Sequence, residues 1–287
     1  AIDADTVTFE RLNAYSERSD AVVAVRADVD TRRELTVDDT YIIAYTAVIS
    51  HPQRREEKRL DPDGPRVVTL RGFDSAALFE STDSVRLLFA NLGVDPGAEL
   101  AIRYVDALIE TLDSEDARTR TLAVGELFLR ESLRESIDRP RARRIGRALE
   151  DPDLSDALKS YLIETLAALP AERTAGWLAP TLRPLIDGAG THYDLGSHRP
   201  RLVSEAVQAL TPEAGKQDRK RLVALLTANG PKVVEAAIAA LEKIDAGFAV
   251  QSVSETLDAA QWNDSLTAPV RRILEAYRVA SLTAPAD

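Results

Sequence analysis

The spacing of apolar residues changes near residue 96, and this change constrains the fold more than any other feature of the sequence. From there on, apolar residues recur every three or four positions, as on one face of an α-helix. Leu100, Tyr104, Leu108 and Leu112 illustrate the pattern. Before residue 96, short runs of β-branched and aromatic residues predict strands. The sequence therefore predicts an α+β chain, with a β-rich domain over residues 1–95 and an all-α domain over residues 96–287.

The predicted N-terminal domain is small and consists mainly of strands. Its strands are expected at residues 21–30, 40–49, 66–70 and 84–89, after a short helix at residues 6–19. The turn at residues 61–65 contains Pro and Gly, which favour the backbone angles of a tight turn. Mixed charges at residues 51–59 indicate an exposed hairpin loop. We expect either a β-sandwich or an OB-like barrel.

The predicted C-terminal domain consists of successive helices that pair at intervals of roughly 35–45 residues. We expect them at residues 100–112, 117–128, 141–150, 151–169, 172–186, 201–210, 217–228, 231–244, 248–257 and 268–281. The segment Asn229-Gly230-Pro231 ends one helix and starts the next, because Gly accepts a left-handed conformation and Pro fits a first helical turn. One helical hairpin cannot bury its apolar face alone, so stacked hairpins are favoured. Trp177 and Trp262 are predicted to pack between helices.

Three of the predicted helices resemble one another. The segments that begin at Asp113, Asp151 and Asn229 each have a polar turn, then small and apolar residues, then a Leu. This pattern is similar to that of the HEAT-repeat (armadillo-like) family over about residues 97–282. The resemblance implies about five helical pairs in a curved α-solenoid with a protein-binding groove. It implies no catalytic residue.

Composition bears on partners and on the compartment. The net charge is −11, from 36 basic and 47 acidic residues, so nucleic-acid binding is disfavoured. The absence of Cys excludes disulfides and thiolate metal sites. The chain has no Met and opens with Ala1-Ile2-Asp3, as after removal of a signal peptide, although a start trimmed in another way would look the same. We therefore expect a periplasmic or extracellular protein, with a cytoplasmic one as the alternative, and no membrane span.

One run of residues is rich in Arg and is the first candidate site. Five of the nine residues from 139 to 147 are arginines, namely Arg139, Arg141, Arg143, Arg144 and Arg147. Guanidinium groups suit phosphate or carboxylate recognition, which makes a nucleic acid or an acidic protein a possible partner. The plainer interpretation is a solvated helix face whose arginines pair with Glu135, Asp138 and Glu150.

The second candidate site is the glycine-containing loop at residues 188–200. His192, Asp194 and His198 offer nitrogen and oxygen ligands for a divalent metal, although their spacing matches no standard metal motif. With Tyr193 they could also form a binding loop that holds no metal. An ordinary solvent-facing insertion is the simpler interpretation.

The sequence contains none of the common catalytic or nucleotide-binding motifs, and we predict no cofactor. The leading hypothesis is a non-enzymatic protein-binding scaffold, or a structural subunit of an envelope or extracellular assembly. The first alternative is a HEAT-like nucleic-acid-binding protein or glycosylase that uses the arginine run. The second is a metal-dependent enzyme that uses the 188–200 loop.

Overall fold

The chain divides into two compact units, Ala1–Ala123 and Val124–Asp287. The computed structural model describes residues 6–10, 22–26, 35–36, 39–46, 48–50, 58–60, 66–67, 77–91, 98–260, 262 and 267–283. These residues are mostly helical. The division between the two units lies further along the chain than the domain boundary expected at residues 95/96. That boundary stays a prediction.

Short strands form the β part of the first unit: β1 Thr6–Glu10, β2 Val22–Arg26, β3 Tyr41–Ile43, β4 Tyr45–Thr46, β5 Val48–Ser50, β6 Lys58–Leu60, β7 Arg66–Val67 and β8 Leu78–Glu80. One sheet has the order β1-β2-β7-β4, in which only β2 and β7 are parallel. The antiparallel pairs β3–β8 and β5–β6 are separate from it. A hairpin forms here as predicted, but β5 pairs with β6, so residues 58–59 of the predicted loop belong to a strand. Residues 51–57 of that loop lie outside the described residues. The sandwich or barrel arrangement stays a prediction.

Two predictions for the first unit are wrong. Residues 6–10 of the expected helix form β1, because their β-branched and aromatic side chains suit a strand that pairs with β2. The expected strand at residues 84–89 is the helix α1, Asp83–Asn91. Val85 and Leu88 are buried there three positions apart, a spacing that fits a helix face. The Thr82 hydroxyl accepts a hydrogen bond from the Val85 amide at 3.2 Å and caps this helix.

Eleven further helices follow in the described residues: α2 Ala98–Leu112, α3 Ala117–Leu129, α4 Arg139–Arg147, α5 Asp156–Ala167, α6 Ala171–Thr174, α7 Leu178–Asp187, α8 Arg199–Leu210, α9 Arg219–Leu225, α10 Pro231–Ile244, α11 Ala246–Ala259 and α12 Ala268–Thr283. Most coincide with the predicted helices, and α10 has the predicted bounds. The division between the two units falls within α3. No helix of the described part is long and apolar enough to cross a membrane.

Two predicted helices differ from the observed ones in a way that local chemistry explains. The helix expected at residues 172–186 is broken into α6 and α7, because Gly176 adopts a φ of 76°, which a right-handed helix does not allow. The helix expected from residue 151 begins at Asp156. Ser155 is its N-cap and accepts a hydrogen bond from the Leu158 amide at 3.4 Å.

The core of the second unit is a series of helix–helix contacts between near neighbours in the chain. Helix α8 packs against α5, α7 and α10, and α10 packs in turn against α9, α11 and α12. The buried face of α10 combines Val233, Val234 and Leu241 with Ala237 and Ala240, whose small side chains permit close approach.

Polar contacts in the second unit join residues that have similar separations in the sequence. Most join residues 26 to 39 positions apart. Six of them span 35 to 37 positions, and they link Arg173 to Ile137, Arg139 to Ala175, Arg183 to Asp218, Arg201 to Glu164, Tyr193 to Asn229 and Gly176 to Glu213. Neighbouring helical pairs are therefore joined at similar intervals.

Asp218 forms the most deeply buried ion pairs of this series. Its side chain is 0% exposed, and its carboxylate accepts from Arg183 Nε at 2.8 Å and also pairs with Arg221. Burial of Asp218 raises its pKa, but hydrogen bonds from Arg183 and the Gly215 amide, together with both arginine charges, outweigh that effect. The pKa of Asp218 consequently lies below its ordinary value of 3.8.

We predict that Asp218→Asn lowers the free energy of unfolding by about 3 kcal/mol at pH 7, because it leaves Arg183 without its buried carboxylate and leaves Arg221 with Asp187 alone. The pKa of Asp218 is depressed in the folded state, so its contribution is present above pH 3.8 and is lost as the pH falls through the folded pKa. Urea unfolding at pH 7 and pH 3 measures both effects. Asp153→Asn on the exposed surface is the matched control and should change little. An equal loss at both pH values would contradict the role of the charge.

Candidate functional site

Helix α4 presents one buried face and one arginine-rich face. Asp138 caps its start, where the carboxylate accepts a hydrogen bond from the Arg141 amide at 3.0 Å. Ala142, Ile145 and Gly146 are buried against the rest of the second unit. The remaining positions face outward because a helix turns about 100° per residue.

The buried face of α4 packs against the indole ring of Trp177. A Cβ added to Gly146 would lie 2.4 Å from Cζ3 of Trp177, so only a glycine permits this approach. The indole Nε1 of Trp177 donates a hydrogen bond to the Arg173 carbonyl at 2.8 Å, which fixes the orientation of the ring. The prediction that Trp177 packs between helices is confirmed.

Two arginines tie the start of α4 to α6 in opposite directions. Arg139 Nη2 donates to the Ala175 carbonyl at 3.1 Å. Arg173 Nη1 donates to the carbonyls of Arg134 at 2.7 Å and Ile137 at 2.8 Å. Because carbonyl partners carry no net charge, Arg139 stays a cation that a ligand can reach. We call this pair of contacts the arginine clamp.

The outward face of α4 carries three arginines one helical turn apart. We call Arg139, Arg143 and Arg147 the arginine stripe; an adjacent row contains Pro140 and Arg144. These five residues line an open pocket of about 400 Å³, whose lining is mostly carbon from the proline ring and the arginine stems. The structure thus brings four of the five predicted arginines to one pocket.

The three acids that the sequence analysis pairs with these arginines, Glu135, Asp138 and Glu150, do not neutralise the arginine stripe. Asp138 pairs with Arg141 at 3.0 Å, outside the pocket. In the part of the chain that the structure describes, Arg143 and Arg147 form no ion pair, and Glu135 and Glu150 pair with none of the five arginines. Of the ion pairs expected with these three acids, the structure shows the one between Asp138 and Arg141. The interpretation of α4 as a solvated helix face stays a prediction.

The arginine stripe has an energetic cost that packing does not explain. Like charges four positions apart on a helix destabilise it by about 0.2–0.5 kcal/mol per pair. Arg143 and Arg147 are both exposed, so they add nothing to the buried core. Arg147 lies in the last turn, where the helix dipole offsets part of the repulsion. The arginine stripe is therefore the candidate site that the structure retains on α4.

Hydrogen bonds join the 188–200 loop to the turn before α10. The Tyr193 amide donates to Asn229 Oδ1 at 2.8 Å, and Asn229 Nδ2 donates to the Tyr193 carbonyl at 3.0 Å. Burial raises the pKa of Tyr193 to about 12. His192, Asp194 and His198 are exposed, and no group of three metal-ligating side chains comes together among the described residues. The structure therefore does not support a metal site formed by these three residues.

No protein-family model, curated protein or solved structure matches this chain. The similarity to HEAT repeats accordingly stays a prediction.

Sequence reasoning missed the residues that hold the arginine stripe in place. Gly146 and Arg173 belong to no motif, and Pro140 did not stand out as a part of the pocket. One signal was available, since a glycine within a helical pattern often marks a close approach of another side chain. The residue that approaches Gly146 could not be read from that signal.

We predict that Gly146→Ala destabilises the second unit by about 1–3 kcal/mol, because the new methyl group overlaps the Trp177 ring. Gly125→Ala in α3 is the matched control, since its Cβ would meet nothing within 4 Å. This control should stabilise the protein by about 0.5–1 kcal/mol through the higher helix propensity of Ala. Thermal unfolding of both variants tests the difference, and equal stabilities would contradict the seating of α4 on Trp177.

Proposed function

We propose that the second unit is a HEAT-like stack of helical hairpins. Each hairpin contacts the next through helices that are near neighbours in the chain, such as α5 with α8 and α8 with α10. Polar contacts at intervals of 35 to 37 residues support this arrangement. They lie within the spacing that the sequence predicts for successive pairs.

The function that fits this unit best is non-enzymatic binding of another protein. The observation that carries the proposal is the arginine stripe, an exposed and unneutralised set of cations on a helix whose position is fixed from behind. Because the backbone of α4 is already fixed by Trp177 and the arginine clamp, binding of a partner does not have to order it. Arginines of such a surface are suited to carboxylate groups, with which they form paired hydrogen bonds.

A nucleic-acid partner is the competing possibility for the same arginines. The net charge of −11 opposes long-range attraction of any anion, and most strongly that of a phosphate backbone, whose charge is denser than that of an acidic protein segment. Proteins that bind single strands also supply aromatic side chains on which bases stack. The pocket on α4 is lined by arginines and a proline. Protein binding is therefore the better supported function.

Protein binding is tested with the double variant Arg143→Glu and Arg147→Glu. The wild-type chain and the variant are used as baits in extracts of the source cells, and partners are identified and purified. We predict that Kd for a purified partner rises at least about tenfold in the variant, which is a loss of about 1.4 kcal/mol. Isothermal titration calorimetry measures this change.

The control carries the same change of charge elsewhere in the second unit. Lys220→Glu and Lys232→Glu alter two exposed lysines on α9 and α10. Partners that bind the wild-type chain should bind this control within about twofold, since long-range effects of net charge are screened by salt. Equal binding by the wild type and both double variants would contradict the proposed function. Retention of DNA in place of a protein, lost at high salt, would favour the nucleic-acid alternative.

A further inference from the structure

We propose that the arginine stripe and its pocket receive an extended acidic segment of the partner in which carboxylate and apolar side chains alternate. This inference rests on the proposed function and adds the chemistry of the ligand. Three observations carry it: the spacing of the arginines, the carbon-rich lining beside them, and the absence of a neutralising acid at Arg143 and Arg147.

The spacing of the arginine stripe matches that of alternate residues in an extended chain. Helical positions four residues apart are separated by about 6 Å along the axis, so the three arginines span about 12 Å. Alternate side chains of an extended segment repeat at about 6.6 Å. Three carboxylates at alternating positions can therefore face Arg139, Arg143 and Arg147 in turn.

The row formed by Pro140 and Arg144 explains why the proposed segment has apolar side chains between its carboxylates. Pro140 and Arg144 lie one position along the helix from Arg139 and Arg143, and they bound the same space. The proline ring and the methylene stems of arginines provide apolar surface that side chains such as Leu can cover. A segment that lies between the two rows directs its alternating side chains to one row and then to the other.

The Arg139 side chain and the backbone of α4 are both held in place, and this allows the site to distinguish one acidic segment from another. Arg139 is held by the carbonyls of Glu172 and Ala175 at 3.5 and 3.1 Å, and it keeps further N–H donors for a ligand. The backbone of α4 is fixed at Gly146 by the Trp177 ring. The first and last arginines of the stripe therefore lie on a helix whose backbone is anchored near both ends.

The test uses the whole chain and two fluorescent peptides of the same composition. One has the sequence Gly-Glu-Leu-Glu-Leu-Glu-Gly, and the other, Gly-Leu-Glu-Glu-Glu-Leu-Gly, has contiguous acids. We expect the alternating peptide to bind at least about fivefold more tightly, because only its carboxylates match the interval of the arginines. Fluorescence anisotropy at low salt measures both Kd values. Labelled oligothymidine of equal charge is titrated in parallel.

The charge variants complete the experiment. Arg143→Glu with Arg147→Glu should weaken binding of the alternating peptide at least about tenfold, and Lys220→Glu with Lys232→Glu should leave it within about twofold. Equal binding of the two peptides would overturn the inference, as would tighter binding of oligothymidine. If neither peptide binds while a purified protein partner still depends on Arg143 and Arg147, the inference fails and the proposed function stands. If no protein partner depends on them either, both fail.

Discussion

The approach of the Trp177 ring to Gly146 is the contact on which the candidate site depends. It holds α4 at a distance that no other residue at position 146 permits. The arginine clamp adds hydrogen bonds in both directions between the start of α4 and α6. Together these contacts keep one helix in place while three like charges on its outer face repel one another. Rigid support of this kind is what a binding surface requires if its side chains are to keep their spacing.

Side-chain contacts also join neighbouring helices elsewhere in the second unit. Asp218 is fully buried between Arg183 and Arg221, which reach it from α7 and from the start of α9. Arg201 of α8 pairs with Glu164 of α5 at 2.6 Å and stacks over Tyr161 at 4.6 Å. In these contacts each charge has a partner. Arg143 and Arg147 stand apart because, among the described residues, no carboxylate meets them.

The sequence predicts the helical elements well where local chemistry marks their ends. Helix α10 has the predicted bounds because Gly230 and Pro231 mark its start. Prediction fails where a local pattern fits two structures, as at residues 84–89, where the short apolar run at residues 87–89 suits a strand as well as a helix. It also fails at the break at Gly176, because the positive φ of that residue depends on its surroundings.

The candidate site shows the same division between local and long-range information. The arginine run is visible in the sequence, and the structure places four of its members around one pocket. The contact of Gly146 with Trp177 and the carbonyl partners of Arg139 involve residues far apart in the chain, so no local pattern reveals them. The proposed metal ligands of the 188–200 loop had compatible chemistry, but the fold does not bring them together.

Hydrogen–deuterium exchange of the chain with and without a purified protein partner tests the central claim most directly. Binding suppresses local opening and therefore slows exchange at the contacted elements. We predict that the amides of α4 gain the largest protection, with a smaller gain in α6 and at the start of α7. Unchanged exchange in α4, combined with protection of another surface by the same partner, would contradict the assignment of the arginine stripe as the binding site.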